Sequence, residues 1–350
     1  QTCALPISKQ AQAEPSPARK YVRDHWGVEA VGFAWTETDS RDGRWQRTDT
    51  GRFLASTVMP LPDGPVRKGL SIRLGASSQG SICYDTEFGK PRAVWTGDFL
   101  TFDPARFGLI VAPKVAGQLR WSQPEGPAWP GATFRYLGMH VNGEHSLISY
   151  RVNDTTIAES PWFDTPWDQL VLTRLFEIAP HQQALTMRIA EFGSNATIEI
   201  PADRPSTVRV NRGNEAYCWQ LAGDIAGSFL VRPEGEKKLL ELTLPARDAP
   251  ARFALRWSPN REIPAAEWFG GATTDTITTT WTDLKRAGPR RWTKPIVTKG
   301  SRAKDDQPYV VDTLTLPFDN PYRALFFPGG LDFFPNGDIA IATEIGRAHV

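Results

Sequence analysis

The chain has 350 residues and a mass of 38.9 kDa, a length that suits about two domains. Forty Lys and Arg against 39 Asp and Glu leave a net charge of +1, which argues against a nucleic-acid module with a basic face, and no apolar run reaches the roughly 18 residues that cross a bilayer. Twenty-nine Gly, 29 Pro and 13 Trp beside three Met predict many turns and few helices, which excludes a coiled coil, a collagen and a disordered tail.

In chain order, the ends come first. Residues 1–8, which open QTCALPI, and residues 344–350, EIGRAHV, resemble translated short-read sequencing adapters. Both are expected to be scars and are set aside from the fold, so Cys3 and His349 carry no meaning. The lead-in 9–43 holds Ala11-Gln12-Ala13 ahead of Glu14-Pro15-Ser16-Pro17. A small-x-small triplet before a polar, proline-containing start is the pattern of signal-peptidase cleavage. An extracytoplasmic location, periplasmic or secreted, is therefore expected, with the signal peptide truncated. A short helical turn is expected around Tyr21-Val22-Arg23-Asp24.

From 44 to 284 the pattern is strand, turn, strand. Leu70-Ser71-Ile72-Arg73-Leu74 alternates with period two and stops at Gly75. Across 133–152 two alternating runs flank Asn142-Gly143, the strongest short hairpin signal, because these residues tolerate positive φ. Further alternation runs through 196–200, 207–210, 239–244 and 252–257. Thr-rich 273–281 favours an extended chain, since β-branched side chains suit a pleated surface. The stretch 167–178 is the one place open to a helical reading, although Leu170-Val171-Leu172-Thr173 suits a strand. The expectation is an all-β, antiparallel β-sandwich-type domain. Residues 285–308, rich in Lys, Arg, Gly and Pro, read as a linker. Beyond it, 309–316 is strand-like and 317–321 is a turn. A second hairpin is predicted between Gly330–Pro335 and Ile339–Thr343 around Asn336-Gly337-Asp338.

The strongest local concentration of chemistry is Cys83-Tyr84-Asp85-Thr86-Glu87 followed by Trp95-Thr96-Gly97-Asp98. As a site it would place Trp95 against the apolar face of a sugar, with Asp85 and Asp98 accepting from its hydroxyls. The paired carboxylates also suit a glycosidase. The alternative is a strand–turn–strand whose Trp is core and whose Asp residues cap turns. If Asn142-Gly143 is a two-residue turn, His140 opposes His145 with Cβ atoms about 5 Å apart. That pair would be half a metal site needing a third ligand. The other face, with Leu137, Met139, Val141, Ile148, Tyr150 and Val152, is the predicted core side. No nucleophile elbow, Walker motif, dinucleotide fingerprint, CxxC or CxxCH occurs, so no catalytic residue is assigned. Pairing of Cys83 with Cys218 is left open. Asn153 and Asn195 match glycosylation acceptors. Trp121, Trp129, Trp162 and Trp167 lie in Gly- and Pro-containing stretches, where they are either loop contacts for carbohydrate or protein, or core satellites under loops.

Residues 330–343 resemble the opening hairpin of the first blade in glucose/sorbosone dehydrogenase-like β-propellers: Gly, then Phe-x-Pro-Asn-Gly, then an apolar strand. The final Gly-Asp-Val-Trp of that pattern is replaced where Ile345-Gly346-Arg347 stands. Upstream, TGRFLAST (50–57), KGLSIRL (68–74), CYDTEFGKPRAVWTGDFL (83–100), APKVAGQ (112–118), 136–152 and Glu159-Ser160-Pro161 resemble a β-rich module. That module is uncharacterised and precedes such propellers in large secreted, haem-binding, membrane-bound-dehydrogenase-like bacterial proteins. The resemblance runs from about residue 44 to 343 and is thinnest over 180–290. It implies that 309–343 begins a truncated β-propeller, and that the intact protein oxidises a sugar or alcohol there and passes electrons to haem. Haem c, with PQQ or calcium, is implied for the intact protein and no cofactor for this fragment. The partners implied are the downstream propeller and cytochrome domains of the same chain. On this reading 44–284 is a non-catalytic accessory module. The alternatives are a β-sandwich that binds or hydrolyses glycans by itself, and a purely structural cap on the propeller.

Overall fold

The computed structural model describes residues 49–102, 111–165, 169–223, 225–260, 262–263, 281, 284–286, 288–289, 293–305, 309–310, 312–317, 320–322 and 328–343. The predicted turn at Tyr21, the lead-in, both terminal scars, Trp167 and residues 273–280 lie outside this set. The chain divides into two compact units, one containing 49–102 and 111–293 and the other 294–350 with smaller segments.

The first unit is all-β and sandwich-like. A seven-stranded sheet runs β5 (Leu100–Thr101), β6 (Lys114–Val115), β1 (Phe53–Leu61), β2 (Gly64–Leu74), β3 (Gly80–Asp85), β4 (Lys90–Thr96), β7 (Gln118–Ser122). An eight-stranded sheet runs β13 (Thr197–Glu199), β14 (Thr207–Arg212), β15 (Glu215–Gly223), β18 (Ala251–Ser258), β11 (Val171–Ile178), β10 (Thr155–Asp164), β9 (His145–Val152), β8 (Phe134–Asn142). A third sheet orders β12 (Leu185–Gly193), β17 (Lys237–Leu244) and β16 (Ser228–Glu234). Alternation decides which side chains meet. Leu70, Ile72, Leu74, Ile82, Tyr84 and Val94 face Ile148, Tyr150, Ile157, Phe163, Phe176, Phe253 and Leu255, while Met187, Leu240 and Leu242 join from the third sheet. Each large sheet is covered on its other face as well. Val58, Val66, Cys83, Ala93, Trp95 and Phe99 form a second cluster behind the seven-stranded sheet. Leu147, Ala158, Trp162, Leu175 and Ala254 form a third behind the eight-stranded one, capped by Trp281 and Leu284. Double burial explains why Val171–Ile178 carries apolar residues on both faces and so fits helix or strand; it is β11.

Two features of the β8–β9 hairpin differ from expectation. Asn142 pairs with His145 and Gly143, at φ 58°, opens the two-residue loop, so the turn is Gly143-Glu144, one residue later than expected, and each cross-strand partner moves by two. A bulge between Tyr136 and Gly138 then turns Leu137 outward, where it is exposed, and packs Tyr136 against the core instead. Met139, Ile148, Tyr150 and Val152 keep the predicted core side. Trp281 is not extended: Lys285 donates to its carbonyl, closing a helical turn that seats Trp281 and Leu284 on the sheet.

In the second unit, β19 (Pro328–Phe333) and β20 (Ile339–Thr343) form the predicted hairpin, with Gly337 at φ 89° in the turn. The described residues of 309–316 form no strand. Thr313 makes one bridge to Ser301, and threonine hydroxyls of Thr298 and Thr315 bond the facing backbone where a ladder would continue. Tyr309 and Leu314 stay exposed, so this run has no apolar surface that would hold it as a strand.

Candidate functional site

The residues singled out in the sequence do not gather. Asp85 ends β3 and pairs with Lys90, whereas Asp98 follows the far end of β4, so the length of a seven-residue strand, about 20 Å, separates them. Trp95 has no exposed surface. Its indole donates to the carbonyls of Asp98 (3.1 Å) and Phe99 (2.8 Å), and it stacks on Phe99. A sugar has no ring face to meet there, and Trp95 is a core residue rather than a platform. Asp85 is buried, accepts from the Glu87 amide at 3.0 Å and faces Arg92 Nη1 at 3.5 Å, capping the β3–β4 turn. Burial raises its carboxyl above the ordinary range, against the pull of Arg92.

His140 and His145 share a sheet face, but His140 opposes Leu147, so the two sit diagonally rather than opposite each other. His145 stacks on Trp162 with centroids 4.3 Å apart, and burial followed by the Arg52 charge lowers its pKa. Among the described residues no group of three His, Cys, Asp or Glu converges on a possible ion. Cys83 and Cys218 are buried free thiols on different sheets. Trp121 and Trp129 belong to the main core and Trp162 to the cluster behind the eight-stranded sheet, so none of the three is a loop contact. Asn153 and Asn195 lie exposed, and Asn153 Oδ1 accepts from the Thr133 amide.

What the fold does assemble lies between its layers. Glu159 is in phase with Ile157 and Phe163, so its side chain enters the core, and no part of it reaches solvent. Arg174, in phase with Leu172 and Phe176 on β11, meets it diagonally. Nε and Nη2 donate to the two carboxylate oxygens at 2.6 and 3.0 Å, a forked pair. Tyr150 of β9 donates at 3.2 Å, and Tyr84 of the opposite sheet donates at 2.5 Å. Four donors thus saturate one carboxylate, and one of them crosses between sheets. Both tyrosines are held well above the usual phenol range, by burial first and then by the Glu159 charge. Burial alone would lower Arg174, but Glu159 and the phenols outweigh it and hold the guanidinium charged.

A second network ties the β3–β4 end to the third sheet. Lys90 Nζ reaches Glu191 Oε1 at 2.6 Å, and Lys237 reaches Oε2 at 3.5 Å. Arg188 lies 3.9 Å from Glu191 and 3.6 Å from Glu241, which also pairs with Arg232. Gln123 closes the seam, accepting from the Glu191 amide at 2.6 Å while its own carbonyl accepts from Arg92 Nε at 2.7 Å. Burial lowers Lys90, opposed by Glu191. Burial would raise Glu191, but Lys90 outweighs it and its pKa falls. Sequence reading missed Glu159, Arg174, Tyr84, Tyr150, Lys90 and Glu191. One signal was present: an acid in phase with Ile157 and Phe163, and a base in phase with Leu172 and Phe176, mark charges destined for a core face.

Residues 82–159 match a family model described as a domain of unknown function, DUF6797; the match spans β3 to the middle of β10 and includes Tyr84, Tyr150 and Glu159. No curated protein matches the chain. Solved structures similar to it include heparan sulfate lyase HepC from Pedobacter heparinus, at 9% identity and a TM-score of 0.32, covering 56% of this chain and 36% of that one. Heparinase III is similar at 9% identity and a TM-score of 0.31, covering 70% and 43%. The chain therefore spans less than half of each, and superpositions of this quality define neither a common fold nor a common site.

Proposed function

We propose that residues 49–293 form a non-catalytic accessory module of a larger extracytoplasmic protein. The observation that supports this is the closed accounting at Glu159: a carboxylate with four donors has no lone pair left to take a substrate proton or a sugar hydroxyl. The charged residues with the most chemical capacity are occupied in joining sheets. The wider context rests on the resemblance of 44–343 to the module and first hairpin of dehydrogenase-like propeller proteins. On that reading, sugar or alcohol oxidation belongs to propeller blades and electron transfer to a cytochrome domain. Haem c does not fit the residues present, because the sequence has no CxxCH. Calcium and PQQ find no converging carboxylates or histidines among the described residues.

The test is a thermal-shift screen of the whole chain against neutral, acidic and sulfated oligosaccharides, with reducing-end release followed in parallel. A ligand that binds the native state at 100 times its Kd would add about 2.7 kcal/mol of stability and raise the melting temperature visibly. The expected result is no concentration-dependent shift and no release. A saturable shift would replace the accessory reading with carbohydrate binding, and release with hydrolysis.

A further inference from the structure

Three oxidisable side chains stand in line across the sandwich. Trp121 lies on β7, an edge strand of the seven-stranded sheet, and is 9% exposed. Its ring centroid is 6.2 Å from that of Trp257, on β18 of the facing sheet, with the planes tilted by 45°. Trp257 stacks in turn on Tyr217 of β15, again at 6.2 Å and with 26° between the planes. Pairing explains the stack: Trp257 opposes Trp219, and Tyr217 is the diagonal neighbour on the same face. The two ends of this line differ. Both indoles sit among apolar core side chains. The Tyr217 ring is buried as well, but its hydroxyl donates to Glu215. That carboxylate is 54% exposed and accepts from Arg212 Nε at 2.8 Å.

We infer that Trp121, Trp257 and Tyr217 form a one-electron relay, which carries an oxidising equivalent from the edge of the seven-stranded sheet to a tyrosine that releases its proton at the surface. A one-electron oxidant outside β7 takes an electron from Trp121. Trp257 refills Trp121, and Tyr217 refills Trp257, so that each step moves one electron toward β7. As Tyr217 gives up its electron, the phenol proton passes to Glu215 and a neutral phenoxyl radical remains. A thiol or ascorbate-like reductant then returns one electron, and solvent returns the proton through Glu215. Electrostatics sets the direction. An indole radical cation in the core is a buried charge with no counter-ion, whereas Tyr217 sheds its charge with the proton. The Arg212 guanidinium lies 6.0 Å from the Tyr217 ring centroid and opposes a ring cation, so electron and proton leave together. Tyr84 and Tyr150 lack this outlet, because their hydroxyls face Glu159, which no solvent reaches. Trp219, 6.0 Å from Tyr217, drains to the same tyrosine.

Flash-quench spectroscopy of the full chain tests this. A ruthenium polypyridyl photo-oxidant is attached at Gln118→Cys, an exposed position on β7, with Cys3→Ser and the two buried thiols left in place. The expected record is a tryptophanyl transient that gives way to tyrosyl absorbance, with a nitroso spin-trap adduct mapped by peptide mass spectrometry to Tyr217. Trp257→Phe should abolish the tyrosyl signal, and Tyr217→Phe should leave the tryptophanyl transient without a successor. Glu215→Gln should slow tyrosyl formation and leave the tryptophanyl transient intact, which a merely structural role for Glu215 would not do. If a core variant does not fold, adduct mapping in the labelled chain decides by itself. A tryptophanyl transient that decays with no tyrosyl successor in the folded labelled chain would overturn the relay, as would an adduct on a different tyrosine.

Discussion

Burial, and after it the charge of Glu159, holds Tyr84 and Tyr150 as phenols, because ionising either would strand a charge in the core beside a carboxylate. Their folded pKa values lie well above the ordinary 10.0, and burial pushes the Cys83 thiol up from 9.0 to about 12 and Cys218 to about 11. The sign follows from linkage. A raised folded value means that the native state keeps protons which the unfolded chain releases. This stability is complete below pH 9 and falls as pH rises through 9 to 12, by about 1.4 kcal/mol per pH unit for each group. Urea midpoints should therefore drop between pH 9 and 11, the slope steepening above pH 10. Phenolate absorbance should show Tyr84 and Tyr150 silent until the chain unfolds. Titration of all seven tyrosines near pH 10 in the folded protein would contradict this.

At the scale of elements, β3 approaches β10 so closely that Gly80 has no room for a side chain: a Cβ there would sit 2.2 Å from the Phe163 ring. Gly80→Ala should cost about 1–3 kcal/mol in equilibrium unfolding, as overpacking does, and Phe163→Leu in the same chain should recover part of it. An unchanged midpoint would mean that the sheets do not meet at this point. Much at this scale was legible in the sequence. Alternation located the strands at 70–74, 207–210, 239–244 and 252–257, and an Asn-Gly pair located the first hairpin. The limits have physical causes. A two-residue loop opened by glycine at φ 58° moved the turn by one residue and each cross-strand partner by two, and the Gly138 bulge moved Leu137 to the surface. Neither alters the hydrophobic pattern by which strands are recognised. Trp95 looked like a platform because a second covered face of a sheet, the one built by Val58, Val66 and Phe99, leaves no separate mark in the sequence. The inter-sheet cluster was illegible as a unit because Tyr84 lies 75 residues from Glu159, and pairings of that range are set by topology alone.

At the scale of the molecule, three sheets are covered on their inner faces and joined through two polar seams. Glu159 connects the large sheets, and Lys90–Glu191 connects the seven-stranded sheet to the three-stranded one. Apolar packing alone would leave sheets free to slide by a residue pair. A forked Arg–carboxylate contact with a tyrosine arriving from the facing sheet fixes the offset. That use of charge serves the fold. It also makes the seam sensitive to unbalancing, since each charge is tolerated in the core because the other is there.

A double-mutant cycle at Glu159 and Arg174, measured by equilibrium unfolding, tests the claim that these charges serve the fold. Glu159→Gln and Arg174→Met should each cost about 3–5 kcal/mol by leaving a buried charge unpaired. The double variant, with both charges removed, should be more stable than the worse of the two. Single losses below about 1 kcal/mol that simply add would contradict the account, because the pair would then be idle in the fold and free for another role.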